Sequence, residues 1–280
     1  MNIQNTLTKA VTKLIKYNIK NPKLDSEILL SKVIKKSRNY VILNSKKFID
    51  EKKIYYFNNL IERRKNGEPI AYIINEKEFW KNTFYVDQNV LIPRPDTELL
   101  VEQVLKNFLK NSNLQILDIG TGSGCILLSI LKERPFMKGI GIDISKKSIN
   151  ISKYNAKIHG LLNRTRFYHS DVDNFKIGKY DVIVSNPPYI ELNSLKYLEK
   201  DVINFEPKLA LSGGFDGFSK IRKVINKAAI LIKKNGKFFL EIGFKQKDKS
   251  KELLNEKGFY INKVVKDYGK NYRCIISTKI

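Results

Sequence analysis

The chain has 280 residues, 42% of them hydrophobic, enough for one large domain with a filled core and a small domain beside it. Lysine and arginine outnumber aspartate and glutamate 52 to 28, for a formal charge of +24. The lysines are spread along the chain and outnumber arginine, as codon usage in an AT-rich genome would produce. Specific nucleic-acid readout favours arginine, so the charge predicts non-specific attraction to RNA rather than a function of its own.

Residues 1–24 carry no acid, as a transit peptide would, but they are lysine-rich and run straight into an apolar helical pattern. Leu7, Val11, Leu14 and Ile15 share one helical face, and Leu24, Ile28, Leu29 and Val33 share another. Asn21-Pro22 separates the two, with Pro22 suited to open the second helix. Asp50 is placed to cap a helix carrying Ile54, Phe57, Leu60 and Ile61. Gly67-Glu68-Pro69 ends this region. The alternation of Ile70, Tyr72 and Ile74, followed by Phe79-Trp80 and Phe84-Tyr85-Val86, predicts a β-hairpin linker.

From residue 96 helical and strand patterns alternate. Thr97 to Val104 reads as a helix. Gln115-Ile-Leu-Asp118-Ile-Gly120-Thr121-Gly122-Ser123-Gly124-Cys125 reads as a buried strand and a glycine-rich turn leading into an apolar helix. Such a turn lets a ligand approach the backbone, and the helix N-terminus offers unpaired N–H groups. A dinucleotide fingerprint needs a third glycine where Cys125 stands, which weakens that reading. Gly139 to Asp143 forms the next strand, ending in a carboxylate that can hold a ribose diol. Ser148–His159 reads as a helix and Thr165–His169 as a strand leading to Asp171.

Asp181 to Ser185 is a further apolar strand, stopped by Asn186-Pro187-Pro188-Tyr189 because proline cannot donate to a sheet ladder. Stiff backbone, one amide and one aromatic ring can hold a flat nitrogen nucleophile, such as an amide or an exocyclic amine. The plainer reading is a strand-ending turn in which Tyr189 caps the core. A helix over 218–232, a strand over 236–241 and a terminal strand pair complete the pattern. Alternation of this kind predicts an α/β fold with a doubly wound, mostly parallel sheet. Asp118, Asp143, Asp171 and Asn186 all fall at strand C-termini, where such sheets bind ligands. Cys125 and Cys274 show no metal-ligand spacing, nor do His159 and His169. The expectation is therefore no metal and reduced thiols in a soluble cytoplasmic protein.

These motifs resemble class I S-adenosylmethionine-dependent methyltransferases, and more narrowly the PrmC/HemK family, the glutamine-N5 methyltransferases of peptide chain release factors. Leu91-Ile-Pro-Arg94-Pro95-Asp96-Thr97-Glu98, Phe205-Glu206-Pro207, Leu211 to Gly217 and Leu240-Glu241-Ile-Gly243 follow in family order. The resemblance spans residues 68–280 strongly, and the earlier residues mainly in length and helical character. It implies a seven-stranded Rossmann-like sheet in a catalytic domain over 93–280. A helical substrate-recognition domain over 1–68 and a hairpin linker over 69–92 would precede it.

For the cofactor, S-adenosylmethionine, the resemblance implies that Gly120, Thr121, Gly122, Ser123 and Gly124 pass beside the methionine part. Asp118 would lie below that loop, Asp143 would bind the ribose, and Asp171 and Val172 would contact adenine. For the acceptor it assigns the Asn186 side-chain oxygen and the Pro187 carbonyl to the substrate amide, with Pro188 fixing the turn and Tyr189 packing on the amide. Arg94 either pairs with an acid or faces the substrate. Class 1 release factors are the implied partner of a monomeric enzyme. An amino-methyltransferase acting on adenine N6 or guanine N2 is the competing enzyme reading, which the motif 186–189 alone also fits. A ribosome-associated binding protein without catalysis is the other, opposed by intact motifs at 118–124, 143 and 186–189.

Overall fold

Asn2 opens the first helix of the computed structural model, which describes residues 1–280: its side chain accepts from Asn5 N at 2.8 Å. Helix α1 (Ile3–Lys16) buries Ile3, Ala10 and Leu14. Pro22 is the first residue of α2 (Pro22–Ile34), where its missing N–H costs no helical bond, and Lys35 ends that helix in the left-handed conformation. Ser37 caps the short α3 (Arg38–Leu43) through Tyr40 N. Asp50 caps α4 (Glu51–Lys65) through Lys52 N at 2.9 Å. Leu14, Leu29, Leu30, Val41 and Phe57 meet in one fully buried cluster.

The alternation at Ile70, Tyr72 and Ile74 does not make a strand. Residues Ile70–Ile74 form the helix α5, opened after Pro69 and closed by Asn75 at φ 56°. Ala71, Tyr72 and Ile73 are buried in succession, which a half-exposed strand cannot achieve. The hairpin begins later, with β1 (Glu76–Phe79) and β2 (Asn82–Tyr85), whose Phe79 and Phe84 point into the core.

A 3₁₀ turn over Pro95–Thr97 leads into α6 (Glu98–Asn107). The alternating segment then supplies β3 (Gln115–Ile119), α7 (Cys125–Glu133), β4 (Lys138–Asp143), α8 (Lys146–Ile158), β5 (Thr165–His169) and β6 (Tyr180–Ser185). After α9 (Lys200–Phe205) come α10 (Ser219–Leu231), β7 (Ile232–Glu241), α11 (Lys247–Glu256), β8 (Phe259–Lys266) and β9 (Tyr272–Lys279). The seven strands lie in the order β5-β4-β3-β6-β7-β9-β8. All neighbours are parallel except at β9, which runs against both β7 and β8. One apolar layer, including Leu100, Leu127 and Val184, covers one face; Ile221, Ile225 and Leu254 belong to the layer on the other. This is the doubly wound sheet that the alternation predicts. Strand order reverses beside β3, so the crevice above the C-terminal ends of β3, β4 and β6 is the place for a ligand.

The chain divides into two compact units. The helical unit comprises residues 1–76 together with Glu199–Phe205, and the sheet unit comprises residues 77–198 and 206–280. Within the helical unit Arg64, 8% exposed, donates to Asp25 Oδ2 at 2.7 Å and to Asp201 Oδ2 at 2.8 Å. Burial opposes the charge on Arg64, but its hydrogen bonds to the two carboxylates outweigh that and hold its pKa above the ordinary value. This ion triad fastens α9 to α2 and α4.

Candidate active site

Three loops converge at the C-terminal end of the sheet. The first follows β3, whose Ile116, Leu117, Asp118 and Ile119 are all buried. Gly120 N and Thr121 N both donate to Ile142 O at 2.9 Å, which folds the loop back onto β4. A Cβ on Gly122 would meet nothing within 4 Å, because the backbone there opens onto the cleft. Gly124 is glycine for another reason: it has φ 82°, and a Cβ would press within 3.1 Å of Leu128 and 3.2 Å of Ser152. Asp118 lies beneath the loop, wholly buried, with Oδ2 accepting from Thr121 Oγ1 at 2.7 Å. Its Oδ1 has no partner. Burial pushes the Asp118 carboxyl up to about 7, against the pull of the Thr121 hydroxyl.

Asp143 ends β4 and joins the first two loops. Its Oδ2 accepts from Gly122 N at 2.9 Å and its Oδ1 from Ser145 N at 2.8 Å. Burial raises its pKa, with the two backbone N–H bonds opposing that rise. Each oxygen keeps a second lone pair for a ligand hydroxyl. Past β5, Asp171 accepts from Asp173 N at 2.8 Å, so its carboxylate shapes a turn while it lines the cleft beside Val172.

The third loop leaves β6. Ser185 Oγ donates to Ile119 O at 2.7 Å, tying this strand end to β3. Asn186 Nδ2 donates to Thr97 Oγ1 at 3.0 Å, so Oδ1 is the end of the amide left for a ligand. Behind Thr97 stands Glu241 at the end of β7, 2% exposed, with Oε2 unpartnered. Burial drives the Glu241 carboxyl up to about 7, while the hydroxyls of Thr97 and Tyr189 and the charge of Arg273 pull it down.

The cleft is lined by Gly120, Gly122, Asp143, Asp171, Val172, Asn186, Pro187 and Pro188, all within the sheet unit. Asp118, Thr121, Ser123 and Gly124 stand one layer below its surface. Tyr189 lies behind the turn: it packs partly buried on the core, its carbonyl accepts from Gln246 Nε2 at 3.1 Å, and burial and Glu241 raise its pKa. Arg94 pairs with an acid, donating to Glu206 Oε1 at 2.6 Å, and Glu206 Oε2 accepts from Ile92 N at 3.2 Å.

Sequence reading missed Asn89, Leu91, Ile144 and Ser145 in the cleft lining, and Thr97 and Glu241 behind Asn186. Ile144 and Ser145 directly follow the Asp143 strand end, a position that alone could have marked them.

An open glycine backbone, a carboxylate with lone pairs to spare and a buried acid with an orphan oxygen suit a ligand carrying a ribose and a cationic end. The donor set contains no thiol and no imidazole.

Residues 5–74 match the family model described as PrmC N-terminal domain, and residues 95–205 match the methyltransferase small domain. A release factor glutamine methyltransferase of Buchnera aphidicola subsp. Baizongia pistaciae is 42% identical, over 100% of both chains. One from the Acyrthosiphon pisum subspecies is 39% identical, over 100% of this chain and 99% of its own. Among solved structures, a methyltransferase from Pyrococcus furiosus superposes with a TM-score of 0.55 at 21% identity, over 79% of this chain and 98% of its own.

Proposed function

This chain belongs to the release factor glutamine methyltransferases, and from that membership we propose that the turn Asn186-Pro187-Pro188-Tyr189 seats the glutamine side chain. It is a methyltransferase that uses S-adenosylmethionine to methylate the side-chain amide nitrogen (N5) of a release-factor glutamine. Bound over the glycine loop, S-adenosylmethionine supplies an electrophilic methyl group on a sulfonium.

A glutamine amide is a poor nucleophile because its nitrogen lone pair is delocalised into the carbonyl. The chain's own residues must therefore position that nitrogen and favour the positive charge growing on it. Positioning in a near-attack geometry contributes ~7–11 kcal/mol. The single observation that carries the reading is the Asn186–Thr97 hydrogen bond, because it commits Nδ2 and leaves Oδ1 to accept from the substrate N–H. The Pro187 carbonyl is the second acceptor in this reading. Pro188 fixes the turn and Tyr189 braces it from behind. No His, Lys or Glu general base lies in the motif, consistent with loss of the nitrogen's proton during or after methyl transfer.

In this reading Asp143 holds the ribose hydroxyls, Asp118 with its orphan Oδ1 answers the cationic end, and Asp171 and Val172 flank the base. The helical residues 1–68 supply recognition of a class 1 release factor. The hairpin follows within 69–92, and 93–280 carries the chemistry. In this reading the enzyme acts as a monomer. Both cysteines are free and buried, which supports a reducing cytoplasm, and no helix is long and apolar enough to cross a membrane.

The test is mass spectrometry of a purified release factor after incubation with the enzyme and labelled S-adenosylmethionine. A single methyl group on the glutamine of its Gly-Gly-Gln loop is expected. Label on adenine or guanine of RNA or DNA, with the glutamine unmodified, would overturn the reading.

A further inference from the structure

A side-chain amide has two ends nearly identical in shape and opposite in hydrogen-bonding role. At Asn186 the choice of end decides whether the turn favours or opposes positive charge on the acceptor nitrogen. The structure contains a device that makes this choice. Thr97, 3% exposed, is fixed by its N–H bond to Arg94 O at 3.1 Å. Its hydroxyl accepts from Asn186 Nδ2 at 3.0 Å and bears on the buried Glu241 carboxyl. A hydroxyl has one proton to give, and an ionised carboxylate can only accept. Above about pH 7, where Glu241 is ionised, the carboxylate draws that proton and Thr97 has only lone pairs to offer Asn186. A flipped amide would set Oδ1 against those lone pairs with no hydrogen between them.

We propose that Thr97, backed by Glu241, is a positioning residue that holds the Asn186 amide with its oxygen toward the methyl acceptor. This rests on the reading of residues 186–189 as the acceptor's seat. Thr97 does not line the cleft and reaches it through Asn186. Glu241 is also faced by Tyr189, Arg273 and Asp96, and its charge reaches the buried Cys125 and Cys274 thiols. Of these side chains, Thr97 is the one bonded to Asn186.

The test is a set of full-length variants assayed on a purified release factor at about pH 8, where Glu241 is ionised. Thr97→Val keeps the shape and removes the hydroxyl. It should lower kcat on the order of 10–100-fold, the scale of a small misplacement at a reacting centre. KM for the release factor and the Kd of S-adenosylmethionine by calorimetry should stay within about threefold, well below the tenfold that 1.4 kcal/mol represents. Thr97→Ser, which keeps the hydroxyl, should recover kcat to within a few fold of wild type. Placed in an Asn186→Ala background, Thr97→Val should cause no further loss, because the residue through which it acts is gone. A Thr97→Val enzyme with wild-type kcat would overturn the proposal, as would an equal further loss in the Asn186→Ala background. If Thr97→Val does not fold, Thr97→Ser decides: a loss of kcat as large as that of Asn186→Ala overturns the relay. Failure of the wild-type enzyme to methylate the release factor would instead reject the reading of the site, so the two failures are distinct.

Discussion

Arg94 Nη2 donates to Glu206 Oε1 at 2.6 Å, joining motifs 112 residues apart in the chain. The Glu206 side chain is 1% exposed and that of Arg94 36%, so the acid is the member that depends on the pair. Pro207, the next residue, lines the cleft. The ion pair thus fixes one wall of the site from behind.

Replacing Arg94 with Met leaves Glu206 with the Ile92 N–H as its remaining partner. A buried charged group that loses a hydrogen bond costs about 1–3 kcal/mol. Urea unfolding of Arg94→Met should show a loss in that range. A midpoint equal to wild type would mean the pair contributes no net stability.

Asp143→Ala should weaken S-adenosylmethionine binding by roughly 1.5–3 kcal/mol, the range for charge-assisted hydrogen bonds. The structure adds a second cause, since Gly122 N and Ser145 N lose their acceptor together. Asp143→Asn keeps one acceptor oxygen and should fall between the two. Calorimetry showing unchanged affinity in Asp143→Ala would remove this residue from the cofactor site.

Asn186→Ala should lower kcat on the order of 10²–10³-fold, by analogy with loss of one preorganised partner in a transition state. The Kd of S-adenosylmethionine should change far less. Asn186→Asp keeps the shape but cannot donate to Thr97, and it adds negative charge close to a sulfonium. That charge favours the ground state, so cofactor should bind as well or better without restored turnover. Rapid-quench single turnovers that match wild type in Asn186→Ala would contradict this.

Glu241 gives the protein a stability that declines with rising pH. Its pKa is raised from 4.5 to about 7, chiefly by burial, so between those values the folded state keeps a proton that the unfolded chain has released. The cost is absent below pH 4.5, grows as pH rises and is complete above 7. At ~1.4 kcal/mol per unit it is on the order of 3 kcal/mol. Comparing urea midpoints at pH 5.5 and 8.5, Glu241→Gln should show the smaller decline. An unchanged decline would mean that Glu241 does not titrate in this window.

The parts of the site that lie within one strand and its turn were legible in the sequence. The glycine loop after β3, Asp143 at the end of β4 and the proline stop after β6 each follow from local chemistry, and their strand ends assemble because the sheet is parallel. Thr97 and Glu241 stood in two other motifs, 91–98 and 240–243; Thr97 meets Asn186, and Glu241 stands behind it, only through tertiary packing, which no spacing encodes. Ile70–Ile74 misled because alternation over five residues fits a strand as well as a short buried helix. The left-handed Asn75 and the burial of three successive side chains decided for the helix. Nor could the sequence show that α9 belongs with helices more than a hundred residues earlier, since an ion pair recruits it.

That recruitment sets a clock on synthesis. Arg64 leaves the peptidyl transferase centre 137 residues before Asp201, one of its two carboxylate partners. At roughly 5–20 residues per second, the helical unit waits about 7–27 s for its last helix. During that interval Arg64 has Asp25 as its one carboxylate partner, and the first-made unit is still incomplete while β3 to β6 emerge.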